Sequence, residues 1–145
     1  MCIRDRVVSE KAEWERHRIM AGIPAMGAEL DERTIPAATG VLDRSVSFTK
    51  GCYTGQELVA RIDSRSAATP TRLVRVEGRL KGEGRLPPVG SNLELEDAQI
   101  GGLTSVAAAD SGFVALAYVK RAVTLPCEAL VRWAEGRDKV SLLVD

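Results

Sequence analysis

The chain has 145 residues, 45% of them apolar and 28% charged, a composition that can bury a core and excludes a disordered polypeptide. Lys plus Arg equals Asp plus Glu at 20 each, and dividing after Ser66 leaves ten of each sign on either side. That balance excludes the basic footprint of a polyanion binder, so no direct nucleic-acid partner is expected. No apolar run approaches the roughly 18 to 20 residues of a membrane span, and no signal-peptide h-region follows the start, so the expectation is a cytoplasmic protein without a membrane partner. The three cysteines, Cys2, Cys52 and Cys127, are odd in number and far apart, and His17 is the single histidine. This excludes a disulfide framework and the usual His and Cys zinc set, and no metal is expected.

Residues 1–6 are set aside as a non-native start. From Val7 to Ala21 the pattern predicts a helix, with Trp14 among its apolar positions and Gly22 as its stop. Pro24, Gly27, Pro36 and Gly40 punctuate the stretch up to Asp43, which reads as loops with short helical turns. Val46-Ser47-Phe48 then reads as a strand, followed by the run Lys50-Gly51-Cys52-Tyr53-Thr54-Gly55-Gln56-Glu57 and a helix from Glu57 to about Ser64. Thr54 and Glu57 have capping-box spacing at that helix start. After Ala67-Ala68-Thr69-Pro70 the period changes. Strands are predicted at 73–77, 93–95, 99–107, 113–119, 127–133 and 140–144, with Gly, Asp and Pro between them. Short strands so punctuated form a small antiparallel barrel or sandwich, and a boundary falls near 66 to 70.

The run from Lys50 to Glu57 concentrates chemistry on one glycine-hinged turn. Gly51 and Gly55 permit backbone geometry or close ligand approach that a Cβ would block. The Cys52 thiolate would be favoured by Lys50 and by a helix N-terminus, the alternative being an inert buried cysteine. Lys50 suits an anionic group, or it is a solvated loop lysine. Tyr53 suits an aromatic ring, or it bonds backbone. Gln56 and Glu57 suit a polar ligand edge, although capping alone accounts for Glu57. Arg61 and Arg65 lie one helical turn apart, where a carboxylate or a partner protein could dock, or where both are simply solvated. The spacing of the two glycines lacks the ending of a phosphate loop. Cys127 reads as a small buried hydrophobe, His17 as a solvated helix residue, and Asp31 with Glu32 as solvent-facing carboxylates.

The octapeptide from Lys50 to Glu57 resembles the signature of the YgfZ-type folate-binding proteins, relatives of the glycine cleavage T-protein, an aminomethyltransferase. The flanks are similar in order and spacing: Arg18-Ile19-Met20-Ala21-Gly22-Ile23-Pro24, Ile35-Pro36, and Ala60-Arg61-Ile62-Asp63-Ser64-Arg65. Ile100-Gly101-Gly102-Leu103-Thr104-Ser105 and Ala115-Leu116-Ala117-Tyr118-Val119-Lys120-Arg121 resemble the family's barrel strands. The similarity runs from about Val8 to the end, and residues 1–6 do not match it.

The resemblance implies an α+β fold. Residues 7–66 would be the C-terminal part of a folate-binding α+β body, carrying the signature loop, and 67–145 a small six-stranded antiparallel β-barrel. The rest of that body, with the T-protein's catalytic aspartate, would lie in an N-terminal portion outside this chain. Residues 70–145 are then expected to fold autonomously and 7–64 to be marginal without a partner layer. The implied cofactor is tetrahydrofolate or a one-carbon derivative, held by Lys50, Gly51, Cys52, Tyr53, Gly55, Gln56, Glu57 and Arg61, with Cys52 the essential thiol and Lys50 its electrostatic neighbour. The implied role is a monomeric accessory factor, more than a turnover enzyme, for iron-sulfur cluster assembly or repair in client enzymes, including tRNA-modifying ones. Two alternatives stand beside it: a folate-dependent aminomethyltransferase, and a barrel that only docks clients. Met20 replaces the acidic residue with which T-proteins hold the pterin, which disfavours aminomethyl transfer. Ser66 and Ala38 also depart from the commoner pattern of Gly and an acidic residue.

Overall fold

A computed structural model describes residues 10–47, 49–57, 59–60, 69–80 and 85–143. Arg61, Arg65, Ser66 and most of the expected domain boundary lie outside them. Six strands, β1 (Thr71–Gly78), β2 (Asn92–Leu95), β3 (Ala98–Ala109), β4 (Gly112–Lys120), β5 (Cys127–Trp133) and β6 (Gly136–Leu143), close into an antiparallel barrel in the order β1-β4-β3-β2-β5-β6. Each predicted strand is present, most of them a few residues longer than apolar alternation alone marks, because ladder pairing extends into polar ends. Each strand has a ladder partner on both sides along part of its length, so no strand is left as a free edge strand.

Side chains alternate across each strand, so every second residue faces the barrel interior. Val74 and Val76 of β1, Ala129 and Val131 of β5, and Val140 and Leu142 of β6 fill it, together with Phe113, Ala115, Ala117 and Val119 of β4. β4 breaks the inside-outside pattern, since Phe113-Val114-Ala115-Leu116-Ala117 is buried without interruption. A strand reads that way when both of its faces are covered. The outward Val114 and Leu116 pack with Ile19 and Ala107 in a second, smaller cluster.

The cover on that outer face is helix α1 (Lys11–Met20), which lies against β3 and β4. Its C-terminus is a Schellman motif: the Gly22 N–H donates to Ile19 O and the Ile23 N–H to Arg18 O, both at 3.0 Å. Gly22 carries the left-handed φ of 63° that this ending requires, so the predicted stop is in place. Trp14 is not on the buried side, being 63% exposed, whereas Arg18 and Ile19 are buried. The helix docks through one apolar residue and one charge, not through an apolar stripe. A 3-10 turn (Pro36–Ala38) and helix α2 (Leu42–Ser45) follow within the stretch read as loops.

Val46 and Ser47 are not a strand. All described ladders belong to the barrel and none includes either residue. The Val46 N–H instead donates to Leu42 O at 2.9 Å, closing α2, and an extended run with no neighbouring strand is not a sheet element. Phe48 lies outside the described residues. The signature loop therefore leads from one short helix to another.

Candidate functional site

The signature turn is closed by near neighbours. Ser47 Oγ accepts the Lys50 N–H at 3.2 Å. The Gln56 N–H donates to Tyr53 O and the Val59 N–H to Gly55 O, each at 3.2 Å, starting a helical turn over 56–57 and 59–60. Gly55 has φ of 84°, so glycine is required there. Gly51 has no left-handed φ, and a Cβ added to it would meet nothing within 4 Å. Of the two glycines singled out, the turn demands only the second.

Cys52 is a free, exposed thiol, not an inert buried one. The Lys50 ammonium lies 5.2 Å from the centroid of the Tyr53 ring, a cation over an aromatic face. Beside them is a cavity of about 310 Å³ lined by Pro36, Ser45, Val46, Ser47, Lys50, Tyr53, Thr54, Gly55 and Val59. Half-buried Tyr53 thus offers ring surface next to a cation, at the lower end of the size usual for small-molecule sites. Cys52, Gln56 and Glu57 do not line this cavity, so it gathers only Lys50, Tyr53 and Gly55 from the expected set. Arg61 is outside the described residues. A larger cavity of about 810 Å³ lies between α1 and β3, with Ala12, Leu86 and Val106 among its walls. It holds none of the signature residues.

Cys127 opens β5 half-buried against the barrel core. Burial pushes its thiol up, and the charge of Arg72 opposes this without cancelling it. The two thiols should separate in a labelling experiment, since the thiolate is the nucleophile and access governs its rate. N-ethylmaleimide near neutral pH is expected to modify Cys52 in the native protein at least about tenfold faster than Cys127, as read by peptide mass mapping. Equal rates would mean that the end of the barrel opens freely.

The densest polar cluster was not anticipated from the pattern of residues. Arg18, on α1, is buried, and all five guanidinium donors are engaged: with Glu15 Oε2 from Nε and Nη2, with Ile23 O and Glu29 Oε2 from Nη1, and with Ser105 Oγ from Nη2. The Glu29 side chain is 0% exposed. Its Oε1 accepts Thr104 Oγ1 at 2.7 Å and Ser105 Oγ at 2.5 Å, and its Oε2 accepts the Ala25 N–H at 3.0 Å. The pairing of β3 with β4 slips between Leu103 and Ser105. Such a bulge re-aims side chains, and two consecutive hydroxyls here reach the same carboxylate oxygen. Tyr118, on β4, donates its hydroxyl to Glu29 O at 2.9 Å.

Burial works against the Glu29 carboxylate, but the hydrogen bonds from Ser105, Ala25 and Thr104 and the Arg18 charge outweigh it and hold the carboxyl below its usual range. Burial likewise works against the Arg18 cation, and Glu15 and Glu29 more than compensate, raising it. Tyr118 is raised by burial and by the charges of Glu29 and Asp31. Asp31 and Glu32 are exposed as expected, Asp31 accepting from Thr34 Oγ1 and the Arg33 N–H. His17 is exposed, 3.8 Å from Glu13. Among the described residues no group of His, Cys, Asp or Glu is placed to hold a metal, and no helix is long and apolar enough to cross a membrane.

No family model matches the chain. Among curated proteins it is similar to the tRNA-modifying protein YgfZ of Serratia proteamaculans, 38% identical over 91 residues, which are 61% of this chain and 26% of that protein. The tRNA-modifying protein YgfZ of Escherichia coli O45:K1 is 40% identical over 91 residues, with the same shares. The match thus spans about a quarter of the length of these relatives. Among solved structures, the glycine cleavage system aminomethyltransferase T from Bartonella henselae superposes with a TM-score of 0.72 at 19% identity, covering 90% of this chain and 36% of that one. This second likeness establishes the fold alone. Over 91 residues the chain is thus similar to proteins named tRNA-modifying protein YgfZ, and it shares the fold of aminomethyltransferase T.

Proposed function

We propose that the chain is the signature-bearing part of a YgfZ-like accessory factor that binds a tetrahydrofolate and supports iron-sulfur cluster assembly or repair in client enzymes, tRNA-modifying ones among them. The observation that carries this reading is the sequence match to proteins named for tRNA modification. In this reading Lys50 and Tyr53 hold the folate through charge and ring contact, and Cys52, exposed beside them, is the functional thiol. Residues 7–66 would belong to the folate-binding body and 67–145 to the barrel. Met20, 47% exposed, stands where the resemblance puts the acidic residue that helps T-proteins hold the pterin, which favours the accessory role over the transferase.

The test is a chimera in which this chain replaces the matching stretch of Escherichia coli YgfZ, expressed in a strain lacking that protein. Modified nucleosides in tRNA should return, and Cys52→Ala should abolish the return while Cys127→Ala retains it. Full restoration by Cys52→Ala would remove the thiol from the mechanism. Calorimetry of the chimera with tetrahydrofolate, with and without Lys50→Ala and Tyr53→Ala, tests the folate contacts separately.

A further inference from the structure

We propose that Arg18, Glu29, Thr104 and Ser105 form a latch that holds residues 10–38 on the outer wall of the barrel and releases this arm as a unit in acid while the barrel stays folded. The arm contributes no residue to the barrel's interior core. The barrel interior is one cluster, and the outer cluster contains a single buried residue of the arm, Ile19, set against Ala107, Val114 and Leu116. Ile19, together with the small buried Ala38 of the 3-10 turn, is a weak apolar anchor for such a segment. Docking is instead carried by the buried Arg18–Glu29 pair at 3.0 Å and by the two hydroxyls that the β3 bulge turns toward Glu29. Among the described residues the further ties include the Tyr118 bond, the contact of Arg75 Nη1 with Met20 O, an exposed pair, Arg16 with Asp110, and the 3-10 turn set against β1.

The groups facing Glu29 determine the direction of its acid response. α1 presents Arg18 and Glu15, β4 presents Tyr118, β3 presents only hydroxyls, and the following turn carries Asp31. Arg18 and Tyr118 stay protonated throughout the acid range. Glu29 is held below the ordinary glutamate range. Its contribution is therefore fully present above that range and is lost as pH falls through the folded value. Once neutral, the carboxyl no longer balances Arg18 and must turn one oxygen from acceptor to donor. Sub-global opening of this kind is detected as selective loss of amide protection.

Hydrogen exchange of the whole chain, corrected for the intrinsic pH dependence, tests the latch. Between about pH 6 and about pH 3, a window spanning the ordinary carboxyl range, the amides of Ile23 and Leu30 should lose at least about tenfold of their protection while those of Val76 and Ala117 keep theirs. In Glu29→Gln the arm should already be tenfold less protected near neutral pH, with the barrel unchanged. The latch is overturned if arm and barrel amides lose protection together at every pH, or if the arm of Glu29→Gln is as protected as the wild type. Failure of Glu29→Gln to fold at all would also overturn it, because the arm would then not be separable. The acid titration of the wild type stands independently of that variant.

Discussion

Phe113→Ala is expected to lower the unfolding free energy of the barrel by about 3–5 kcal/mol, the range for deleting a buried aromatic and leaving a cavity. Phe113 is 1% exposed and faces the barrel core. Its ring lies over Gly78, where an added Cβ would stand 2.2 Å from the ring's Cε1. Gly78 has no left-handed φ, so its requirement is one of space alone. Gly78→Ala should therefore destabilise on its own by displacing the ring, and its cost should shrink when Phe113→Ala has removed the obstacle. Residues in contact couple in this way, and a double-mutant cycle isolates the coupling. Urea unfolding of the two single variants and the double variant measures it. Simple additivity would mean that the ring and the glycine backbone do not meet as described.

Arg18→Leu is expected to weaken docking of the arm by about 3–5 kcal/mol, because removing one partner of a buried pair leaves the other charge uncompensated. Without Arg18, the influence of burial on Glu29 loses its electrostatic counterweight, so the Glu29 carboxyl should titrate at higher pH than in the wild type. Carbon-13 NMR titration of the side chain reads that direction, and an unchanged or lower value would contradict it. Ser105→Ala should have a smaller effect, about 1.5–3 kcal/mol for a hydrogen bond to a charged group, since Thr104 and the Ala25 N–H still serve the carboxylate. An Arg18→Leu effect no larger than that of Ser105→Ala would mean that the hydroxyls, not the ion pair, hold the arm.

Much of the fold could be read along the chain, because the information needed for a strand or a helix end is local. Alternating apolar residues separated by Gly, Asp and Pro marked the barrel strands, and Gly22 marked the end of α1 through a φ that only a residue without Cβ adopts readily. The octapeptide was legible for the same reason, since eight consecutive residues carry the resemblance and its glycine-hinged turn is closed by near neighbours. Val46 and Ser47 could not be settled that way. A strand is defined by its partner, and they have none in the described ladders.

The Arg18–Glu29 cluster was beyond the reach of local pattern. Arg18, Thr104, Ser105 and Tyr118 each lie in one of the segments that carry the family resemblance, yet nothing along the chain links them, and Glu29 sits in a stretch that reads as an ordinary polar loop. Ser105 and Glu29 are 76 positions apart and meet only because β3 bulges where α1 crosses the barrel wall. Whether a charged residue is solvated or buried is decided by what the folded chain lays over it. The sequence by itself determined the barrel strands, the end of α1 and the chemistry available at the signature turn. Tertiary structure alone decided which charges lost their water, because desolvation depends on distant neighbours.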